Sequence, residues 1–379
     1  MPYSDDFSDL TSGQQLLKQE AHRFASEVMR PIGASLDDLP PEQVIATGSP
    51  LWDFFRKAYS SGHHLRGLPI ELGGAGLGPL ESHLVQEEFG WGNSGLAIAL
   101  ATAGSPFMAA AATGHPDLIR EIVMPFVEDT EGKYIGCLGA TEPNHGSDLI
   151  MILGGGDPWR ELECSAYRDG DEWVIQGQKS AWVSNGTIAT HCLAILNMRS
   201  DVRIRGVGTA VVPLNLPGVT KGPPTNKLGQ RPLNQGEIFF DNVRIPAHYM
   251  LSQPSADEDG GNEGLAGANA GMSSMFSGVA RAAFEEALAY TQSRIQGGVP
   301  ISSHQVVQKK LFDMFMRVQA ARALSRKANQ RLLSGLPTQQ YSIAAKVFAT
   351  RTAFDVASDA SELFGAMGMV KGVLVEALL

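Results

Sequence analysis

The sequence predicts a mostly α-helical protein with a central β-domain. Apolar residues recur at helical spacing from Gln14 to Val127, and short β-branched runs follow from Lys133 to Pro246. Long helical periods then return and continue to the end of the chain. We therefore expect three domains: an N-terminal α-helical domain (1–130), a middle β-domain (131–248) and a C-terminal helical bundle (249–379).

Size and charge narrow the class of protein. The chain has 379 residues, 43% of them hydrophobic and 18% charged, as in ordinary globular proteins. Its net charge of −10 argues against a partner that is a nucleic acid or an anionic membrane. Neither a secretory signal nor a membrane-spanning run is apparent. The scattered cysteines Cys137, Cys164 and Cys192 are expected to be reduced thiols in a cytoplasmic protein, and no metal site is expected.

In the N-terminal region four residues lie near one face of the first predicted helix: Leu17, His22, Phe24 and Val28. Pro31 is expected to end that helix, because proline breaks helix interiors. The Ala- and Leu-rich stretch from Glu81 to Thr113 predicts one or two buried helices. Between them, the glycines of ELGGAGLG (71–78) predict a loop, since no β-branched strand leads into them.

The middle region contains four short runs typical of strands: EWVIQGQKSAWVSN, HCLAILNM, GTAVVPLN and EIFFDNVRIP. Glycine, proline and Asn-Gly separate them, which favours an antiparallel sheet or barrel. The acidic, glycine-rich SADEDGGNEG (255–264) is expected to join this domain to the last one.

Two long helices are predicted in the C-terminal region, each with one apolar face. The first face consists of Phe276, Ala280, Phe284, Ala287 and Thr291. The second consists of Val307, Leu311, Met314, Val318 and Ala321. Helices, then strands, then helices is therefore the expected order, and no internal repeat is apparent.

Two polar motifs in the β-domain are candidates for a binding site. GATEPNHGSD (139–148) offers hydroxyls and backbone N–H groups that suit a flavin carbonyl edge or a diphosphate, although a self-satisfied turn would use the same residues. In KSAWVSNG (179–186), a strand with Val183 in the core would place Trp182 and Ser184 together on the opposite face. A ring beside a hydroxyl suits a planar redox group; a core tryptophan in a hairpin is the alternative.

Six segments, in the same order, are similar to those of the acyl-CoA dehydrogenase flavoprotein family. They are LPIELGGAGLG (68–78), GATEPNHGSD, DGDEWVIQGQKSAWVSNG (169–186), KLGQRPLNQGEIFFDNVRIP (227–246), SRIQGGVPISSHQVVQ (293–308) and ASDASELFGAMG (357–368). The resemblance covers nearly the whole chain. It implies an N-terminal helical domain, a middle antiparallel β-barrel, a C-terminal four-helix bundle, one FAD per subunit and a homotetramer or dimer.

The resemblance also implies flavin contacts in the β-domain. The segment from Leu138 through Ala140, Thr141 and Gly146 to Ser147 would wrap the flavin ring and diphosphate, with Thr141 near the pyrimidine edge. Trp182 would stack on the ring, and Ser184 would hydrogen-bond near the redox nitrogen. Ser147 and Asn269 are also candidate substrate contacts.

For the rest of FAD, the resemblance points to the C-terminal region. Arg294 and Gln296 match the family's R-x-Q segment, whose arginine pairs with the diphosphate of a neighbouring subunit's FAD. Gly297 replaces the usual Phe, and His304 and Gln305 follow at the family's spacing. Five consecutive residues match the segment whose backbone meets the adenosine half, with Ala366 where a second glycine is common: Glu362, Leu363, Phe364, Gly365 and Ala366.

The family's reaction is α,β-dehydrogenation of an acyl-CoA thioester, with electrons passed to an electron-transferring flavoprotein. A glutamate removes the α-proton, and neither of its usual positions is filled here. One position holds Ala268, beside Asn269, and the other would lie beyond Leu379. Three explanations are open: the sequence belongs to a longer protein, Glu263 replaces the base, or the chemistry needs no glutamate.

Several related functions therefore remain open. They are a dehydrogenase of carrier-protein-bound acyl groups, a desulfinase, an oxidase or monooxygenase, and a subunit without a base that pairs with an active partner. A further departure is an insertion at 149–167, where Trp159 and Arg160 are candidate substrate contacts and a surface loop is the alternative.

Overall fold

The structure is a computed structural model that describes residues 10–149, 162–199, 206–253, 260–333 and 338–379. Its α-helices are α1 Ser12–Phe24, α2 Arg30–Asp37, α3 Pro41–Val44, α4 Pro50–Ser60, α5 Pro79–Gly92, α6 Ser94–Ala103, α7 Ser105–Ala112, α8 Pro116–Leu118, α9 Met124–Val127, α10 Gly260–Ser293, α11 Gln305–Leu332, α12 Gln339–Phe364 and α13 Leu374–Leu378. Its strands are β1 Gly136–Gly139, β2 Ser165–Asp169, β3 Glu172–Ser184, β4 His191–Arg199, β5 Gly206–Pro213, β6 Val219–Lys221, β7 Gln235–Pro246, β8 Met250–Ser252, β9 Ile295–Gln296 and β10 Val299–Pro300. The predicted fold class, helical regions around a central β-domain, is confirmed.

The first helix does not end at Pro31, so that prediction was wrong. A π-helical turn, Ala25–Met29, follows α1 and leads directly into α2, in which Pro31 lies in the first turn. The N–H that proline lacks is not needed at that position. The buried face also differs, because His22 is exposed whereas Lys18 and Ala21 are buried beside Phe24.

The apolar stretch from Glu81 to Thr113 contributes to three helices, one more than expected. The side chain of Asn93 accepts a hydrogen bond from the N–H of Leu96 and caps α6, while Pro106 lies in the first turn of α7. As expected, ELGGAGLG is not part of an α-helix or strand; a single 3-10 turn, Ile70–Leu72, begins before it. Among the described residues, one helical stretch, 94–112, is long and apolar enough to cross a membrane. In this structure 61% of that stretch is buried inside the protein.

The β-domain is a mixed sheet of eight strands in the order β6-β7-β3-β2-β4-β5-β8, with β1 also on β4. The four predicted strand runs become β3, β4, β5 and β7, and these pair antiparallel as expected. However, β1 and β2 both lie parallel to β4. They pair with successive stretches of the same edge of β4. The sheet is therefore mixed, and the prediction of a purely antiparallel sheet was wrong.

The inner face of the sheet is apolar and includes all three cysteines, which are free and buried. Cys137 on β1 lies opposite Cys192 on β4. Burial raises the pKa of the Cys137 thiol well above its ordinary value and that of Cys164 to about 12. These thiols are therefore protonated core residues.

The C-terminal region consists of three long helices and the short α13. The two predicted apolar faces are confirmed, since Ala280, Phe284, Met314 and Val318 are among the buried residues of one core cluster. The expected joint at 255–264 is only partly described, and from Gly260 onwards the chain is already helical in α10. Residues 254–259 lie outside the described residues.

A buried cluster of charges joins the first and last regions. Arg281 of α10 forms ion pairs with Glu87 and Glu88 on α5, and its Nη1 lies 2.9 Å from Glu87 Oε1. Lys18 of α1 pairs with Glu88, and Arg322 Nε of α11 lies 2.8 Å from Glu87 Oε1. Burial alone would raise the pKa of Glu87, but Arg322, Lys18 and Arg281 together hold it below its ordinary value. Four helices from two regions therefore meet at two ionised carboxylates.

Replacing Arg281 with Met should destabilise the whole protein. The variant leaves Glu87 and Glu88 buried with fewer cations, a change that typically costs about 3–5 kcal/mol. Urea unfolding followed by circular dichroism measures this loss. Arg244→Met is the matched control, because Arg244 pairs with Asp169 and Glu172 at the surface, where an ion pair contributes little to stability. Equal losses in the two variants would contradict the role given to the cluster.

The stability of the fold should fall in mild acid. Burial lowers the pKa of His63 to about 3 and those of His64, His83 and His191 to about 4. Unfolding exposes these rings and returns their pKa to about 6.5, so the unfolded chain binds more protons between those values. The free energy of unfolding should be highest above about pH 6.5 and decrease towards about pH 4, by up to about 1.4 kcal/mol per pH unit for each histidine. Urea unfolding at several pH values tests this, and a constant free energy between neutral pH and pH 5 would contradict it.

Candidate functional site

The outward face of β3 carries the first group of candidate residues. Val183 is buried in the core, as expected, while the side chain of Trp182 is 59% exposed on the opposite face. The interpretation of Trp182 as a core residue is therefore wrong. Ser184 lies two residues further along the same face and is half-buried. Its Oγ accepts a hydrogen bond from Gln235 Nε2 at 3.2 Å, which leaves the Ser184 O–H free to donate.

Thr141 pairs with the same strand, β3, through the backbone of Ser180. Its backbone carbonyl accepts a hydrogen bond from the N–H of Ser180 at 3.0 Å, and its hydroxyl donates to the Ser180 carbonyl at 2.6 Å. The Thr141 oxygen still has lone pairs for an outside donor. Leu138 is exposed on β1, and Ala140 packs on a small apolar cluster of the outward face. Thus Leu138, Ala140, Thr141, Trp182 and Ser184 are brought together.

The loop after Thr141 closes on itself. Glu142 and His145 form a short antiparallel bridge, and the N–H of Gly146 donates to Asp148 Oδ1 at 2.7 Å. His145 Nδ1 lies 2.8 Å from Asp148 Oδ2, and this contact, with the Gly146 N–H, lowers the pKa of Asp148. Part of the loop is therefore self-satisfied, as the alternative interpretation required. Gly146 and Ser147 are exposed at its turn.

The Glu142 carboxylate anchors this loop in the protein interior. Lys179 Nζ lies 2.6 Å from Glu142 Oε1, and neither side chain has any exposed surface. The N–H groups of Glu163 and Cys164 donate to the two Glu142 oxygens at 2.6 and 3.1 Å. Sequence reasoning did not select this pair, because a lysine in a strand is typical of a solvent-facing position.

Asn185 was also missed, although it directly follows Ser184. It is fully buried with φ of +64°, a conformation that asparagine tolerates better than most residues. Its Nδ2 donates to the Ala99 carbonyl at 2.8 Å and to the Gly136 carbonyl at 3.1 Å. The end of β3 is therefore tied to both α6 and β1. The Asn-Gly pair indicated a turn here but not this contact between regions.

The second group of candidate residues surrounds a tight hairpin. Arg294 directly follows α10, and β9 and β10 are joined by Gly297 and Gly298, both with positive φ. Arg294 and Gln296 are exposed, and within the described residues the Arg294 guanidinium has no acidic partner. His304 Nε2 lies 3.1 Å from the Gln296 carbonyl oxygen, and Gln305 is the exposed first residue of α11.

The last candidate segment reaches this hairpin through Tyr290. The ring of Phe364 stacks on the ring of Tyr290, with 3.9 Å between the two centroids. Tyr290 lies four residues before Arg294 in the sequence. Leu363 and Phe364 are half-buried, whereas Glu362, Gly365 and Ala366 are exposed. Glu362 pairs with Lys310, and Gly365 has φ of +62°. One chain thus brings the candidate residues of 294–305 and 362–366 together.

The donors and acceptors of these groups fit FAD. Trp182 and Leu138 offer exposed apolar surface, Ser184 offers an O–H, and Thr141 offers an acceptor for a ring N–H. Arg294 offers an unpaired cation of the shape that suits a diphosphate. An open pocket of about 390 Å³ lies on the sheet beside Pro143, Glu163, Gln178 and Phe239, and none of the candidate flavin residues lines it.

The one usual position of the catalytic glutamate that falls within the described residues, 268, contains no carboxylate. Ala268 is exposed and Asn269 half-buried on α10, and an alanine has no group that accepts a proton. The side chain of Glu263 and the residues Trp159 and Arg160 lie outside the described residues, as does most of the insertion. Among the described residues, no group of three or more His, Cys, Asp or Glu side chains could hold a metal ion.

Comparison with known proteins places these features in a family. Three sequence patterns match in order: the N-terminal domain of acyl-CoA dehydrogenases over residues 11–128, the middle domain over 137–243 and the C-terminal domain over 262–379. Together they cover most of the chain.

Individual relatives agree with these matches. "Probable acyl-CoA dehydrogenase YngJ" of Bacillus subtilis is 31% identical over 98% of this chain and 92% of its own length. The mitochondrial short-chain specific acyl-CoA dehydrogenase of Bos taurus is 28% identical over 97% of this chain and 84% of its own length. The structure of butyryl-CoA dehydrogenase from Megasphaera elsdenii superimposes with a TM-score of 0.84 at 25% identity, covering 99% of this chain and 93% of that one. The chain therefore belongs to the acyl-CoA dehydrogenase family, whose members are oxidoreductases that act on the CH–CH group of acyl-CoA.

Proposed function

We propose that this protein binds FAD and introduces an α,β double bond into an acyl-CoA thioester, passing the electrons to an electron-transferring flavoprotein. The observation that carries the proposal is the exposed Trp182 ring, flanked on one sheet face by the Ser184 O–H and the Thr141 acceptor. The exposed aromatic face of Trp182 can stack on a planar ring, while the neighbouring donor and acceptor can bond to the edge of that ring. Membership of the family supports a flavin as that ring.

Each part of the site has a separate task in this proposal. When bound, FAD supplies the acceptor for a hydride from the substrate's β-carbon. Trp182 covers one face of the ring and excludes water, and Ser184 donates a hydrogen bond to its edge. The Arg294 guanidinium neutralises a diphosphate, and residues 362–366 receive the adenosine half. Ser147 and Asn269 are proposed to contact the acyl-CoA.

Removal of the α-proton needs a carboxylate, and position 268 does not supply one. Without a carboxylate at Ala268, the base must come from another position, and Glu263 is one candidate. The alanine also favours a second class of function, in which the flavin scaffold acts as a desulfinase, oxidase or monooxygenase. A carrier-protein-bound acyl substrate, or a partner subunit that supplies the base, is compatible with the same site.

A homotetramer or dimer in the cytoplasm is proposed as the working form. Among the described residues, eight large apolar side chains on α11 and α12 are more than one-third exposed in the single chain: Val306, Phe312, Phe315, Met316, Ile343, Val347, Phe348 and Phe354. An apolar surface of this kind is typical of a subunit interface. A second copy would bury it and place its own Arg294 near the first chain's flavin, as the resemblance implies.

Anaerobic mixing of the flavin-loaded protein with a panel of acyl-CoA thioesters tests the reaction. One class of thioester should bleach the visible absorbance of the oxidised flavin, because dehydrogenation reduces it. Electron-transferring flavoprotein should then restore the absorbance faster than oxygen does. Free FAD with the same thioesters is the control.

Failure to bleach with any thioester, in protein whose intact mass matches the sequence, would contradict dehydrogenation. Rapid reoxidation by oxygen would instead support the oxidase or monooxygenase alternative. Bleaching that appears only after a second homologous chain is added would identify a subunit without a base.

Replacing Arg294 with Gln should weaken FAD binding. A hydrogen bond to a charged group contributes about 1.5–3 kcal/mol, so the Kd for FAD should rise at least about tenfold. Fluorescence titration of the flavin-free protein measures this. Arg120→Gln is the matched control, because Arg120 is exposed and pairs with Asp117 and Glu121 at the surface. An unchanged Kd in Arg294→Gln would remove the arginine from the proposed site.

A further inference from the structure

We propose that the buried pair Glu142–Lys179 is a positioning pair that sets the shape of the candidate flavin loop before FAD binds. Neither residue is proposed to touch the substrate or the reacting atoms. The inference rests on the proposed function, because FAD is the ligand whose affinity the pair would determine. It goes beyond that function by assigning a role to two residues that form no part of the binding surface.

The pair has no contact with solvent. Lys179 lies on β3 between the half-buried Gln178 and the buried Ser180, and its Nζ lies 2.6 Å from Glu142 Oε1. The same Nζ donates to the Ala140 carbonyl at 3.3 Å. One ammonium group therefore fixes a carboxylate and a backbone carbonyl on the two sides of Thr141.

Glu142 distributes this anchoring to a second segment. Its Oε2 accepts the N–H of Glu163 at 2.6 Å, and its Oε1 accepts the N–H of Cys164 at 3.1 Å. These are the residues that lead into β2, which lies beside the first half of β3. The carboxylate thus joins the start of the candidate loop to two strands at once.

This anchoring also determines the position of Thr141. With Ala140 and Glu142 fixed, the carbonyl and the hydroxyl of Thr141 both pair with the backbone of Ser180, which lies two residues from Trp182. A shift of one residue in this register would turn the Thr141 side chain to the other face of the sheet. The acceptor offered by Thr141 and the ring offered by Trp182 therefore keep one relative position.

The energetics of buried charges explain why a positional role is the better account. Two charges removed from water lose hydration that their attraction only partly restores, and an apolar pair of similar volume would stabilise the fold as well. An apolar pair would not hold the Ala140 carbonyl and two amide groups in place. A loop ordered in advance spends less binding energy on its own ordering, so preorganisation appears as affinity.

Three variants test the pair: Glu142→Gln, Lys179→Met and the double variant. Each single variant leaves one buried group without its partner and should raise the Kd for FAD by about tenfold or more, which corresponds to about 1.4 kcal/mol. The double variant removes both charges, so its Kd should rise by less than the product of the two single effects. Fluorescence titration with FAD measures Kd, and thermal unfolding of the same flavin-free samples measures stability.

Glu88→Gln is the matched control, because Glu88 is an equally buried glutamate that pairs with Arg281 and Lys18 outside the site. It should lower Tm while the Kd for FAD stays within about threefold, well below the tenfold that corresponds to 1.4 kcal/mol. If Glu142→Gln lowers Tm as Glu88→Gln does and leaves Kd unchanged, the pair is structural only and the inference is overturned. Kd values that rise together in both variants would overturn it too, since the effect would then follow global stability.

Hydrogen exchange on the wild-type protein gives a second test that needs no variant to fold. The amide protons of Ser180, Glu163 and Cys164 should be protected to the same degree with and without FAD, because the pair orders them beforehand. Protection that appears only when FAD is added would contradict a preset loop. If wild-type protein binds no FAD at all, the proposed function fails, and that outcome is distinct from wild-type binding with an unaffected Glu142→Gln variant.

Discussion

The fully buried contact between Glu142 and Lys179 is the interaction on which the rest of the candidate site depends. Two charged groups without solvent can persist only if their remaining hydrogen-bonding capacity is satisfied, and here backbone groups at 140, 163 and 164 satisfy it. The arrangement that this requires also determines where Thr141 lies beside β3. The polar outward surface is thus held in place from the inner side of the sheet.

A similar principle joins the domains. Glu87 and Glu88 draw helices of the first and last regions together, and Asn185 ties the end of β3 to α6 through backbone carbonyls. Both contacts use buried polar groups whose partners come from distant parts of the chain. Such contacts are directional, so they specify relative positions that apolar packing alone leaves adjustable. The two halves of the candidate site are therefore carried by regions with defined contacts between them.

The sequence predicted what depends on local periodicity. Helical spacing identified the buried faces of α10 and α11, whereas alternation in β3 left open whether Trp182 lies outside, as it does, or in the core. It could not show that β1 and β2 share an edge of β4, because both strands are short and their pairing is non-local. The helix also continues through Pro31, since a π-helical turn shifts the proline to a position that tolerates it.

The candidate site, too, could be predicted only where its residues lie close together in the sequence. The motifs around Thr141 and Trp182 are contiguous and could be read directly, whereas Glu142 and Lys179 are 37 residues apart and look like ordinary surface charges. The central claim is that the surface they hold in place is a flavin site. Equilibrium dialysis of the flavin-free protein against FAD measures this most directly. The account predicts saturation at one FAD per chain with quenching of the tryptophan fluorescence, and a protein that takes up no FAD would contradict it.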